Sequence, residues 1–130
     1  STLLEFDTED FDTDSAFASN AFTVPSGEGG KYFMYTKMKT DSGTANSQVS
    51  ATLLFRIASN ERYQNEFLGF GEISGTVVTV QAIGLNLTAT LDLSAGDVVT
   101  VYGYSNVSTG QARILGAYTV YFGGYKLIGV

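Results

Sequence analysis

Histidine and cysteine, the side chains that most often run chemistry, are both absent from these 130 residues. That removes the commonest general base and metal ligand, the thiolate nucleophile and any disulfide. Oxygen and aromatic chemistry remain. Residues 5–14 carry Glu5, Asp7, Glu9, Asp10, Asp12 and Asp14 with no basic residue among them. Such a run offers the carboxylate oxygens that a hard cation such as Ca2+ takes, with Asp7, Asp10 and Asp12 as candidate ligands. It is not an EF-hand loop, since no Gly follows the third acid. The same acids serve equally as a solvated strand end that discourages wrong pairing. No other cofactor is implied.

Paired carboxylates for glycoside hydrolysis exist formally, as Glu61 with Glu66 or Glu28 with Glu72. That reaction needs a fixed separation across a cleft, and nothing singles out a pair. No nucleophile elbow, phosphate loop or metal triad occurs, so the chain reads as a non-enzyme. Tyr63, Tyr102, Tyr104 and Tyr118 each offer an apolar face and a polar tip that can stack on a sugar ring. Of these, Tyr63 and Tyr104 are the candidate ligand-binding residues, and the competing role is to fill a core or an interface. Asn86-Leu87-Thr88 and Asn106-Val107-Ser108 match the N-glycosylation pattern, but three-residue patterns arise often by chance.

The elements that must position these residues are strands. Hydrophobic residues make up 44% of the chain and charged residues 15%. That fits one folded domain over residues 1–130, with some surface hidden by association. Fifteen Gly, eight Tyr, nine Phe and a single Pro suit many short strands joined by small-residue turns. The net charge of −6, with seven scattered basic residues, argues against a nucleic-acid partner. The start lacks a basic region followed by a long apolar stretch, and the longest apolar runs fall short of a bilayer span. Neither a signal peptide nor membrane insertion is expected.

Period-2 alternation predicts strands at residues 22–24, 31–39, 48–58, 62–70, 76–82, 85–93, 98–104 and 117–130. In 48–58, Val49, Ala51, Leu53, Phe55 and Ile57 share one face, with Ser50, Thr52 and Arg56 on the other. In 85–93, Leu85, Leu87, Ala89, Leu91 and Leu93 alternate with Asn86, Thr88, Thr90 and Asp92. Leu53, Phe55, Ile57, Leu87, Leu91 and Leu93 are the predicted core. No window carries a helical stripe with caps. The last strand differs, since both of its faces are apolar. A strand with one wet face alternates, so this one is expected to meet a core on one side and a protein partner on the other.

Several motifs in order resemble the C1q/tumour necrosis factor-like domain over roughly residues 4–130. They are Phe6, Asp12 and Phe17, then Phe22-Thr23-Val24-Pro25, then Gly30-Lys31-Tyr32. The turn Leu91-Asp92-Leu93-Ser94-Ala95-Gly96-Asp97-Val98-Val99 and the closing Phe122, Gly124, Tyr125 and Leu127 follow. The sequence departs from the pattern in three places: a longer loop between Pro25 and Tyr32, Met34 and Thr36 where aromatics are typical, and no collagen-like stalk.

The resemblance implies an all-β jelly-roll sandwich of about ten antiparallel strands, assembled as a homotrimer. It further implies a non-enzymatic structural or binding module. The phrase Phe6-Asp7-Thr8-Glu9-Asp10-Phe11-Asp12 is similar in style to such domains on bacteriophage virions. The expectation is therefore a capsid decoration or fibre-tip protein on a virion or extracellular surface. Its partners would be itself, capsid or fibre proteins, or a host-surface glycan or protein. The alternative is a secreted C1q-like recognition domain. The resemblance places the final strand beside neighbouring subunits, which makes Tyr118, Val120, Tyr121, Phe122 and Tyr125 the candidate trimer contacts.

Overall fold

A computed structural model describes residues 2–3, 17–18, 20–43, 48–58, 60–67, 72–73, 76–77, 81–108, 110–114 and 120–129. Within 60–67, 72–73 and 76–77 it describes the backbone, with side-chain detail only at Asn60. The described residues form twelve strands and no helix. They are β1 (Thr2–Leu3), β2 (Phe17–Ala18), β3 (Ala21–Thr23), β4 (Gly30–Asp41), β5 (Gln48–Ile57) and β6 (Asn60–Phe67). β7 (Glu72–Ile73), β8 (Thr76–Val77), β9 (Ala82–Leu93), β10 (Val98–Val107), β11 (Arg113–Ile114) and β12 (Tyr121–Lys126) follow.

All pairings are antiparallel. One sheet runs β2-β3-β10-β5-β6, with β1 also on β10. In the second sheet β9 pairs with β4 from Gly30 to Asp41. Since β9 takes one edge of β4 along its whole length, β12 and β11 share the other. β7 and β8 make a separate two-stranded ribbon.

The alternation in the sequence becomes the core. Along β9, Ile83, Leu85, Leu87, Leu91 and Leu93 are buried while Asn86, Thr88, Thr90 and Asp92 are exposed. From β4, Met34 and Met38 join them, and Leu53, Phe55, Val99 and Val101 come from β5 and β10 of the other sheet. The two sheets thus close face to face on one apolar layer, a sandwich-like arrangement. Ile57, near the end of β5, is only half-buried against that layer.

Leu54 is an exception on the polar face of β5. It shares a face with Thr52 and Arg56, yet it is buried at 1% exposure. The run Leu53-Leu54-Phe55 breaks the alternation, and the outer side of the sheet is covered at this point. Beside Leu54 in register lies Tyr102, whose ring carries the Arg56 guanidinium at 3.8 Å.

The tight turn expected after Leu93 is present. Asp97 accepts a hydrogen bond from the Ser94 amide at 2.8 Å, and its own amide donates to the Ser94 carbonyl at 3.0 Å. Gly96 sits at φ 88°, a conformation that L side chains rarely adopt. The turn docks on the first sheet through paired bonds, Gly96 N–H to Val24 and Val24 N–H to Asp97.

Candidate interaction face

β12 lies antiparallel to β4, with Tyr121 opposite Lys37 and Lys126 opposite Tyr32. Successive side chains point to opposite faces, so the strand divides into two sets. Val120 and Phe122 pack on the core, with the Phe122 ring 5.9 Å from Phe55. Tyr121 and Tyr125 point away from it, 44% and 57% exposed. Of the five residues expected to form a subunit contact, Tyr121 and Tyr125 are thus outward. Val120 and Phe122 are core-facing, because parity forces one set inward. Tyr118 lies outside the described residues.

The outward pair belongs to a larger aromatic surface. Phe33 and Tyr35 on β4 share the same face, half-buried. Ring centroids run Tyr125 to Phe33 at 5.4 Å, Phe33 to Tyr35 at 6.3 Å and Tyr35 to Tyr121 at 6.0 Å. Tilted and edge-on geometries of this kind are attractive beyond their buried area.

Two glycines make the surface possible. A Cβ on Gly123 would meet the Tyr35 hydroxyl at 2.5 Å and its Cζ at 2.6 Å, so the Tyr35 ring lies across the β12 backbone where a side chain is missing. On the core side, a Cβ on Gly124 would strike the Phe33 carbonyl at 2.7 Å as well as the Met34 sulfur. Thr36 donates from Oγ1 to the Tyr121 carbonyl at 2.8 Å and ties β12 down. Lys126 ends the strand by pairing with Glu28 at 3.0 Å.

Around the rings the face is polar. Along β4, Lys31 precedes Phe33 and Tyr35 on this face and Lys37 and Lys39 follow them, and Asn86, Thr88, Thr90 and Asp92 of β9 lie alongside. Among the described residues no three metal-ligating side chains converge. Asp7, Asp10 and Asp12, the candidate cation ligands, lie outside the described residues. So does the Tyr63 side chain, whose backbone stands opposite Phe55. Tyr104 is 38% exposed and stands opposite Thr52 on the outer side of the other sheet.

Phe33 and Tyr35 are the members of this face that sequence reasoning missed. The signal was available in the stretch Lys31-Tyr32-Phe33-Met34-Tyr35, where both parities are apolar, as they are in β12. Compared with known proteins, the chain matches no family model and no curated protein.

At the far end of β4 a polar clamp holds β11. Arg113 donates from Nε and Nη2 to the two Asp41 oxygens at 2.7 and 2.6 Å, a bidentate fork. The Arg113 hydrogen bond, helped by the Gly43 amide, holds the Asp41 carboxyl below its ordinary pKa, against the opposing effect of burial. A carboxylate with a depressed folded pKa stabilises the fold above its unfolded pKa and loses that contribution as pH falls through the folded value. Asp41→Asn is therefore expected to be less stable than the parent at pH 7, with a gap that shrinks below about pH 3.9. Urea denaturation of both proteins at neutral and acid pH checks this. A gap that persists unchanged into acid contradicts it.

Proposed function

We propose that this chain is a non-enzymatic assembly and binding module, a C1q/TNF-like jelly roll that closes as a homotrimer through the outer face of the β9-β4-β12 sheet. The observation that carries the reading is the connected row of Phe33, Tyr35, Tyr121 and Tyr125 on that face. A contiguous aromatic patch rimmed by polar residues is the mark of an interaction surface. The strand order supports the jelly roll, since β3-β10-β5-β6 opposes β12-β4-β9 and the chain crosses between sheets at the Ser94–Asp97 turn. The acidic, aromatic opening phrase favours a virion component, such as a capsid decoration or fibre-tip protein that stabilises the particle or attaches it to a host surface. In the alternative reading, a secreted recognition domain, exposed Tyr104 on the opposite sheet is a stacking group for a glycan.

Native mass spectrometry tests the assembly. The expected species is three times the 13.9 kDa chain. A chain that stays monomeric at micromolar concentration contradicts the reading.

A further inference from the structure

The aromatic face carries a charge pattern that bears on how copies meet. Three of the chain's seven basic residues, Lys31, Lys37 and Lys39, project from it, all on β4. The remaining four basic residues stand against thirteen acidic ones. A basic face thus sits on a strongly acidic molecule.

Lys37 and Lys39 form no ion pair among the described residues. Among the described residues the ion pairs are Arg113 with Asp41 and Lys126 with Glu28. Lys31 stands opposite Asp92 across the sheet, but the cross-strand neighbours of Lys37 are Asn86 and Tyr121, and that of Lys39 is Gly84. Asp41, two residues from Lys39, is already held by Arg113.

β4 is the middle strand of this face. If two copies met face to face about a twofold axis, each Lys37–Lys39 pair would lie near its equivalent, and like charges would oppose the contact. In a head-to-tail contact, of the kind that closes into rings, a different surface of the neighbour covers the face. Outside these three lysines the chain carries four basic and thirteen acidic residues, so its remaining net charge is strongly negative.

We propose that Lys37 and Lys39 are docking cations that take carboxylates of the neighbouring copy in a head-to-tail contact, with the aromatic row buried between them. The inference rests on the assembly reading above, whose threefold contacts are head-to-tail by symmetry, and adds to it the charge of the interface.

Salt decides the sign. Attraction across the interface is screened as the Debye length falls from about 10 Å at 0.1 M salt to about 3 Å at 1 M. Sedimentation equilibrium of the wild type at low and high NaCl is expected to show the apparent dissociation constant rising by about tenfold or more. Lys37→Glu/Lys39→Glu is expected to weaken assembly by about a hundredfold, and Lys37→Gln/Lys39→Gln by less, with a flattened salt response. A thermal melt of each variant reports its fold. Assembly that tightens with salt, ignores it, or strengthens on charge reversal overturns the docking role of Lys37 and Lys39 while leaving self-association standing. A wild type that never assembles overturns both.

Discussion

Tyr125→Asp is expected to turn the proposed trimer into a folded monomer. In the isolated chain Tyr125 is 57% exposed, so a carboxylate there stays in water, and the fold loses chiefly the Phe33 ring contact, on the order of 1 kcal/mol. In the assembly the same carboxylate is enclosed among aromatic rings with its hydration removed. Burying a charge without a partner is strongly unfavourable. A penalty of only about 2.8 kcal/mol already shifts the dissociation constant a hundredfold. Tyr121→Asp acts in the same direction but less cleanly, because Lys37 stands opposite position 121 and can partly neutralise it. Light scattering gives the mass and a circular dichroism melt reports the fold. A folded variant that keeps the wild-type mass contradicts the assignment of the face.

The second large effect is on stability. Phe55 is fully buried toward the end of β5 and contacts Phe122 from the other sheet. Phe55→Ala removes that ring from both layers and leaves a cavity, for an expected loss of about 3–5 kcal/mol. Domains of this size have about 5–15 kcal/mol in all, so the variant is expected to sit near the edge of folding. Dissociation would enter any denaturation curve of the assembled protein. The comparison is therefore made in the Tyr125→Asp background, with the m-value checked for constancy. A loss below about 1 kcal/mol would mean that the ring is not where the two sheets close.

How much of this was legible depended on whether one strand carried its own signal. β9 was plain, because five apolar residues alternate with polar ones and the structure buries all of them but Ala89, which packs half-buried against the core. The Ser94–Asp97 turn was equally plain, since Gly and Asp each have a local reason to be there. Leu54 was not, because its burial depends on what covers the outer side of its sheet. β1, β2 and β11 have two residues each, too short for any period to show. The two-sided character of β12 was readable, but its partner surface was not. Phe33 and Tyr35 join Tyr121 and Tyr125 only through the β4–β12 register, and register between distant segments is set by packing.

The account stands most directly on which sheet carries the interface, and two exposed tyrosines separate the possibilities. Tyr121 is 44% exposed on the outer face of the β9-β4-β12 sheet, and Tyr104 is 38% exposed on the outer face of the other. The deciding measurement is the solution mass of Tyr121→Asp beside that of Tyr104→Asp, by light scattering at matched micromolar concentration. The account predicts that Tyr121→Asp loses mass toward the single chain while Tyr104→Asp keeps three copies together. A Tyr104→Asp protein that falls apart while Tyr121→Asp stays assembled would contradict it.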